Sequence, residues 1–186
     1  MIDPVTPCQR RLRRRLRRLI RSESGAAAVE MALIATPFLM LLFGIVEIGM
    51  IFLISASLEN GMDLAARTVR TGQFQTGGTA TSAAFKSAIC NSFGWFQADC
   101  QTNLSVDVRT YATFASVTAP QPVQNGTFNA SALTFDPGAA NDIVVVRAYY
   151  KWTLLAPFFN QAFQQLNGGV ALLTATAAFR NEPYSG

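Results

Sequence analysis

The residues of this chain whose types and spacing could support a chemical event lie around Gly25. A run of eight arginines precedes Gly25-Ala26, and Glu30 is the first carboxylate after that junction. If the bond after Gly25 is cut, Ala26 acquires a free amino group and Glu30 becomes the fifth residue of the shortened chain. About one helical turn separates the two charges, so the carboxylate could meet the amine of a neighbouring copy. The pattern predicts a processing site at Gly25–Ala26 and a subunit-assembly carboxylate at Glu30.

The other reactive residue types do not form a recognisable active site. The chain has no histidine, which excludes serine–histidine–aspartate triads, cysteine–histidine pairs and the common zinc sites. It has no glycine-rich phosphate loop, and the carboxylates after residue 60 are scattered. A serine–lysine pair around Lys86 or Lys151 is the one hydrolytic alternative. We expect no enzymatic activity, no metal and no cofactor.

The element that positions Glu30 is a long apolar segment. Residues 26–58 contain only two charged side chains, Glu30 and Glu47, and a membrane-spanning helix needs about 20 mainly apolar residues. The segment is too long for the apolar core of a cleaved secretory signal, and no small-x-small cleavage site closes it. It predicts a transmembrane helix over 26–58, after a basic leader at 1–25 and before a domain at 59–186.

The distribution of charge predicts the orientation of that helix. Residues 1–25 hold eight arginines and two acidic groups, whereas residues 26–186 hold seven basic and nine acidic groups. An arginine run can bind nucleic acid, but directly before a spanning segment it is typical of a terminus retained in the cytoplasm. We expect no nucleic-acid partner, a cytoplasmic N-terminus and an exported C-terminal domain.

The junction and the helix resemble a known family. The basic leader, Gly25, Glu30 at the fifth mature position and the apolar helix resemble type IV pilin-like precursors. The longer run resembles the TadE-like family pattern, which is G-A-A-A-V-E-F-A-L, then a proline, a leucine-rich stretch and G-I-x-E-x-G. The helix features that fall on the second half of that pattern are Pro37, Gly44, Glu47 and Gly49. The resemblance is strong over residues 22 to about 70, and beyond them it is only one of general architecture.

The resemblance implies a minor pilin, or pseudopilin, of a tight-adherence (Tad/Flp) pilus, which is a type IV pilus system. It implies a single-pass protein of the bacterial inner membrane with a periplasmic domain, and incorporation in an extracellular pilus is a further implication. The implied partners are other pilin and pseudopilin subunits, Tad inner-membrane platform proteins, a prepilin peptidase that cuts after Gly25, and membrane lipid. The implied fold is pilin-like, with a long N-terminal helix whose outer half packs on a small sheet.

Three residues of the helix have physical consequences of their own. Pro37 removes one helical hydrogen bond, which predicts a kink. Glu47 lies about 25 Å beyond Glu30 along the helix axis, which places it near the outer interface, and about 100° away around the helix, so the two carboxylates do not form one ion site. An alternative for Glu30 is a position at headgroup depth, where its charge costs little.

The cysteines predict one disulfide. Cys90 and Cys100 both follow the span, on the oxidising side of a bacterial envelope. The stretch between them is too long for a CxxC redox motif. We expect a Cys90–Cys100 disulfide that closes a short loop and contributes on the order of 2–3 kcal/mol. Cys8, on the cytoplasmic side, is expected to be a free thiol.

The domain after the span is predicted to be α+β. Apolar residues at helical spacing continue the first helix towards Gly72, and two further short helices are predicted over 79–91 and 157–166. Three alternating segments predict a small antiparallel sheet of about three to four strands, and they are 104–111, 143–152 and 170–179. The composition of residues 118–141 is typical of a loop, and a connection of this length is a candidate contact surface.

Six aromatic residues cluster in two short stretches of the domain. They are Phe93, Trp95, Phe96, Phe158, Phe159 and Phe163. Such residues form a binding patch, fill a small core or rest on a membrane surface, and the sequence leaves these alternatives open.

Two alternatives to the pilin-like function also stay open. One is an uncleaved single-pass scaffold of the Tad secretion machinery, in which Gly25 is only a flexible joint. The other is a membrane-anchored periplasmic binding module unrelated to pili. Survival of the leader in the cell would favour the first, and saturable binding of a small ligand to residues 60–186 would favour the second.

Overall fold

The structure, a computed structural model, describes residues 23–78, 80–156 and 160–184. Most of the basic leader, with Cys8, and the pair Phe158–Phe159 lie outside the described residues, so the predictions made for them are not addressed. The chain divides into two units, 1–45 and 46–186, and each is described by itself.

A single helix, α1, extends from Glu23 to Arg70 and contributes to both units. Its most apolar 18-residue window has a mean hydropathy of 2.5, and α1 is the one helix of the described chain that is long and apolar enough to cross a membrane. The helix continues through Pro37. It ends where Gly72 takes a left-handed conformation with φ 76°, a backbone state that favours glycine. The helix expected from the apolar run is therefore present as a candidate membrane span.

In the first unit the described part of α1 presents apolar side chains around its whole circumference. Such a helix is stable only in an apolar environment, which a membrane or packed neighbouring helices would provide. The large exposed apolar side chains of this part are Val29, Met31, Leu33, Ile34, Phe38, Leu39, Met40, Leu41, Leu42, Phe43 and Ile45.

The second unit is built on a three-stranded antiparallel sheet with strand order β1–β4–β5. Two very short strands, β2 and β3, form a separate hairpin. The strands are β1 (Leu104–Tyr111), β2 (Val123–Gln124), β3 (Thr127–Phe128), β4 (Ile143–Thr153) and β5 (Val170–Arg180). The predicted α+β class and the small antiparallel sheet are confirmed.

Four short helical segments lie between α1 and β1, and a fifth lies between β4 and β5. They are α2 (Gln73–Thr76), α3 (Ser82–Cys90), a 3-10 segment (Asn91–Phe96), α4 (Gln97–Asn103) and, before β5, α5 (Asn160–Phe163). The helix predicted over 79–91 is shorter because Thr81 caps it, its hydroxyl accepting a hydrogen bond from the Ala84 N–H at 3.2 Å.

One face of the sheet and one stripe of α1 form the core. The stripe recurs every three or four residues and consists of Ile54, Leu58, Met62, Ala65 and Val69, all buried. The sheet contributes Val108, Val146 and Tyr150 to this core. Val108 and Val146 are paired across β1 and β4. Gly61 lets α1 approach α3 closely, because a Cβ there would lie 2.5 Å from the Ile89 carbonyl oxygen.

The other face of the sheet is covered by the segment between β1 and β4. Residues 144–150 are consequently buried without interruption, on both faces of β4. The segment also extends the sheet, since the Val108 N–H donates to the Thr134 carbonyl and the Asp136 N–H donates to the Val108 carbonyl, both at 2.9 Å. In this structure residues 118–141 thus serve as a cover for the sheet.

Candidate functional site

The residues of the predicted processing and assembly site lie in the first turns of α1. Gly25 is half-buried, whereas Ala26 and Glu30 are exposed. All three are helical, because the described helix begins at Glu23. Within the described chain the Glu30 carboxylate has no hydrogen-bond or ion-pair partner, so it is a charge presented on an apolar helix surface. The assignment of Gly25, Ala26 and Glu30 to processing and assembly stays a prediction.

The other family positions of α1 differ in their surroundings. Thr36 donates its hydroxyl hydrogen to the Ala32 carbonyl at 2.8 Å, one residue before Pro37. Gly44 is buried and Gly49 is exposed. A Cβ on Gly49 would meet no atom within 4 Å, so this glycine leaves an open strip on the helix surface.

Glu47 is the buried carboxylate of α1, with 1% of its surface exposed. One carboxylate oxygen accepts a hydrogen bond from the Trp152 indole N–H at 3.1 Å. The other oxygen accepts from two backbone N–H groups, those of Leu155 at 2.8 Å and Ala156 at 3.1 Å. Glu47 therefore connects α1 to the end of β4.

The local sequence explains why three donors converge on this carboxylate. Trp152 points to the α1 side of the sheet, as Tyr150 and Ala148 do, because side chains alternate along a strand. β4 ends at Thr153, so the backbone N–H groups of Leu155 and Ala156 lie beyond the strand and need another acceptor. Hydrogen bonds to a charged acceptor are stronger than neutral ones, which offsets part of the cost of burying Glu47.

The predicted disulfide is present between Cys90 and Cys100, with their Cα atoms 5.6 Å apart. It joins the C-terminal residue of α3 to α4, and both cysteines are fully buried. The bond encloses the 3-10 segment, so this segment is held at both ends.

A tyrosine–aspartate pair attaches the same region to the sheet. The Tyr150 hydroxyl, on β4, donates a hydrogen bond to the Asp99 carboxylate in the first turn of α4. Burial, then the hydrogen bond to Asp99 and its charge, raise the pKa of Tyr150 above its ordinary value of 10.0. This residue is therefore neutral and a hydrogen-bond donor over the physiological pH range.

Asp107 organises the covered face of the sheet and is fully buried. It accepts two hydrogen bonds from the Arg109 Nε, at 2.9 and 3.0 Å, one from the Thr134 N–H at 2.9 Å, and a longer one of 3.5 Å from buried Arg147. The arginines extend the contact to the covering segment, since Arg147 donates to the Thr118 carbonyl and Arg109 to the Ala132 carbonyl. This cluster fixes the cover and leaves the carboxylate saturated.

The hydrolytic alternative has limited geometric support. Lys86 shares a cavity of about 430 Å³ with Ser82 and Ser105. Burial, with the charge of Lys151 as the smaller cause, lowers the pKa of Lys86. No hydrogen bond among the described residues joins the Lys86 ammonium to a serine hydroxyl. The described chain also contains no group of three acidic or cysteine side chains placed to hold a metal.

Three features of the site were not predicted from the sequence. They are the acceptor role of Glu47, the buried Asp107 cluster and the close approach at Gly61. Leu155 and Ala156 are uncharged, and the sequence gave no sign that their backbone N–H groups would bind Glu47. The one available signal for Gly61 was its position in the middle of a helix. Glycine destabilises a helix interior, so its presence there often indicates that a neighbouring segment leaves no room for a side chain.

Comparison with known proteins bears on α1 alone. No curated protein and no solved structure matches the chain. The match that was found is to a family model, that of TadE-like protein, and it covers residues 25–67. These residues include Glu30, Glu47 and the predicted processing junction. The resemblance predicted from the sequence is therefore confirmed: over the greater part of α1 the chain is similar to the TadE-like family.

Proposed function

We propose that this protein is a minor pilin-like (pseudopilin) subunit of a Tad/Flp-type pilus, with a structural and assembly role and no catalytic one. The observation that carries the proposal is α1 itself. Its TadE-like part includes residues with apolar side chains exposed on every side, and among them lies the Glu30 carboxylate, which has no partner within the described chain. A helix of this kind needs other helices or lipid around it.

Processing and assembly follow from the same residues. A prepilin peptidase cuts the Gly25–Ala26 bond, which removes the arginine-rich leader and leaves a positive amino group on Ala26. The Glu30 carboxylate of one subunit pairs with that amine on a neighbour. Because both charges lie in an apolar surrounding with a low effective dielectric constant, their attraction is stronger than it would be in water. Packing of the apolar helix surfaces then stabilises the assembly.

The proposed location is the inner membrane of a bacterium. The arginines before α1 place its N-terminus in the cytoplasm by the positive-inside rule, and the second unit then lies in the periplasm. The Cys90–Cys100 disulfide supports this placement, since disulfides persist in oxidising compartments. Other pilin subunits and the Tad inner-membrane platform proteins are the proposed partners.

A second candidate is the uncleaved membrane scaffold of the same machinery. The observation that favours it is that Gly25 is helical in the described structure, two residues after α1 begins. A peptide bond inside a helix must unwind before a peptidase can cut it, and an uncleaved leader would require no such step.

The experiment that separates the two candidates is the N-terminal mass of the membrane-extracted protein, from cells with and without the prepilin peptidase. A chain that starts at Ala26 only when the peptidase is present supports the pilin-like subunit. An intact leader in both samples contradicts processing and assigns the protein to the scaffold.

A further inference from the structure

Trp95 is fully exposed, with 100% of its surface accessible. A tryptophan side chain usually buries roughly 150–250 Å² in a folded protein or an interface. Exposing that area to water is unfavourable, because the indole ring is mostly apolar. A tryptophan that the fold holds outward therefore indicates a partner that accepts an apolar ring with one polar edge.

The exposure of Trp95 results from the way its neighbours are anchored. Phe93 is buried, with its ring centre 5.3 Å from that of Tyr150. Phe96 packs against Trp152 at 6.2 Å between ring centres. Between the two anchored rings Gly94 has φ 53° and ψ −117°, a backbone state open to glycine, and this turn directs Trp95 outward.

The covalent structure keeps Trp95 in this position. The 3-10 segment that contains it is enclosed by the Cys90–Cys100 disulfide, and both sulfur-bearing residues are fully buried. Trp95 thus lies on a short, cross-linked segment, and its outward position is built into the fold of the second unit.

Trp95 lies beside residues 53–57 of α1, near the end of the helix stretch that exposes large apolar side chains. It lines a groove of about 260 Å³ together with Leu53, Ile54 and Ser57 of α1. In that stretch of the helix Phe52 is 71% exposed and Leu53 54% exposed. After Leu53, the next large apolar residue of α1 that is exposed is Leu64.

The same end of the second unit carries a further exposed apolar residue and few charges. Leu155 is 64% exposed, and its N–H is held by Glu47. Residues 91–98, and residues 152–173 through the first residues of β5, contain no charged side chain. Surfaces that face water normally contain charged residues, so this end of the unit is unusually apolar for a water-facing surface.

We propose that Trp95 and Leu155 rest in the headgroup region of the bilayer that α1 crosses, so that the second unit docks on the membrane surface. The lipid surface is the favoured occupant because α1, within the second unit, exposes the apolar side chains of Val46, Ile48, Phe52 and Leu53 up to this level. Tryptophan is enriched at membrane–water interfaces, where its ring lies among acyl chains and its N–H among headgroups. The inference rests on the membrane insertion of α1 and does not depend on the pilin-like role.

The test uses the full chain in phosphatidylcholine–phosphatidylglycerol vesicles, with flotation as the measure of insertion. The chain has two tryptophans, so the difference between wild type and Trp95→Phe reports Trp95, and the variant alone reports buried Trp152. This design changes no core residue. A matched control is Phe114→Trp in the Trp95→Phe background. Phe114 is exposed and follows the C-terminal end of β1, whereas Leu104 begins that strand at the other end.

The emission of Trp95 is expected to shift to the blue relative to indole in water. Bromine atoms placed near the top of the lipid acyl chains should remove roughly half of its intensity, because the ring lies at headgroup level. Aqueous acrylamide should quench it less than the tryptophan introduced at position 114.

Three results would overturn the proposal. Trp95 quenched by acrylamide and not by brominated lipid would lie in water. Trp95 shielded from both quenchers would be covered by protein, such as a second copy of the chain. Failure of the protein to float would contradict membrane insertion itself, whereas a floating protein with an unquenched Trp95 would contradict the docking surface alone.

Discussion

The carboxylate of Glu47 and the indole N–H of Trp152, 105 residues apart in the chain, share a hydrogen bond of 3.1 Å inside the protein. Two backbone N–H groups that follow β4 complete the coordination of the same carboxylate. Glu47 lies on the TadE-like helix, and Trp152 lies on the central strand of the sheet. The hydrogen bond therefore connects the part of the chain that resembles a known family to the part for which no relative was found.

Glu47→Ala is expected to destabilise the second unit by about 2–4 kcal/mol, because the Trp152 indole N–H and two backbone N–H groups lose their acceptor. Glu47→Gln should cost less, since the amide keeps one acceptor oxygen. Denaturant unfolding of the detergent-solubilised protein, followed by Trp152 fluorescence in a Trp95→Phe background, measures both. Glu59→Gln, at an exposed position of the same helix, is the matched control and should leave stability unchanged. Equal stability of Glu47→Ala and the control would contradict the anchoring role.

Gly61→Ala is expected to destabilise the protein by about 1–3 kcal/mol, because the new methyl group forces α1 away from the Ile89 carbonyl oxygen. Gly49→Ala is the matched control on the same helix, since a Cβ there meets no atom within 4 Å. It should be neutral or stabilise the helix by up to about 1 kcal/mol. Thermal unfolding monitored by circular dichroism distinguishes the two, and similar shifts would mean that the close approach does not limit packing.

Asp107→Asn is expected to cost about 3–5 kcal/mol, because Arg147 would be left buried beside a neutral amide. The covering segment at 118–141 should also loosen, since Asp107, Arg109 and Arg147 bind its backbone. Limited proteolysis should then cut within that segment, whereas the wild type resists. Asp63→Asn, at an exposed position of α1, serves as the control. A variant that keeps the wild-type cleavage pattern would contradict this account of the cluster.

Stability is expected to fall at alkaline pH through Tyr150. The pKa of this tyrosine is raised in the folded state, so above pH 10 the unfolded state binds fewer protons than the folded state. The free energy of unfolding should therefore be independent of this group below its unfolded pKa and decline by about 1.4 kcal/mol per pH unit above it.

Urea unfolding of the wild type and of Tyr150→Phe between pH 8 and about 11 measures this contribution. The phenylalanine variant should show a shallower decline. Asp99→Asn should lie between them, because it removes the charge of the partner and leaves the burial of Tyr150, which is the larger cause of the shift. Parallel curves for all three proteins would assign the alkaline loss to other groups.

Glu30→Ala is expected to leave membrane insertion and the stability of the second unit unchanged while abolishing incorporation into the pilus. The reason is that the carboxylate is exposed and, within the described chain, contacts no other polar group. Flotation, thermal unfolding and the protein content of sheared pili measure the three properties. Glu59→Ala is the control for loss of an exposed helix carboxylate. Normal piliation of the Glu30 variant would refute pairing with a neighbouring amine.

The elements that follow from local pattern were predictable. Alternation predicted β1 with its observed bounds and β4 and β5 to within one residue at an end. The apolar run predicted α1, and the spacing of Cys90 and Cys100 favoured the disulfide. Each of these depends on residues close together in sequence, so a single sequence contains the signal.

Two side chains show where local pattern was insufficient. Alternation along β4 puts Arg147 on the face opposite Val146, and a sheet solvated on that face would expose the arginine. It is instead buried, because the segment between β1 and β4 folds back over that face and Asp107 balances its charge. Glu47 was expected near the outer interface, and its enclosure by the end of β4 could not be inferred from the helix alone.

The sequence by itself determined the apolar helix with its TadE-like pattern, the order of the strands along the chain and the disulfide. The tertiary structure decided which polar groups are enclosed and which apolar ring is left outside, as Glu47 and Trp95 illustrate. The physical reason is that the cost of burying a charge depends on donors from distant segments, and the exposure of an indole depends on what its neighbours pack against.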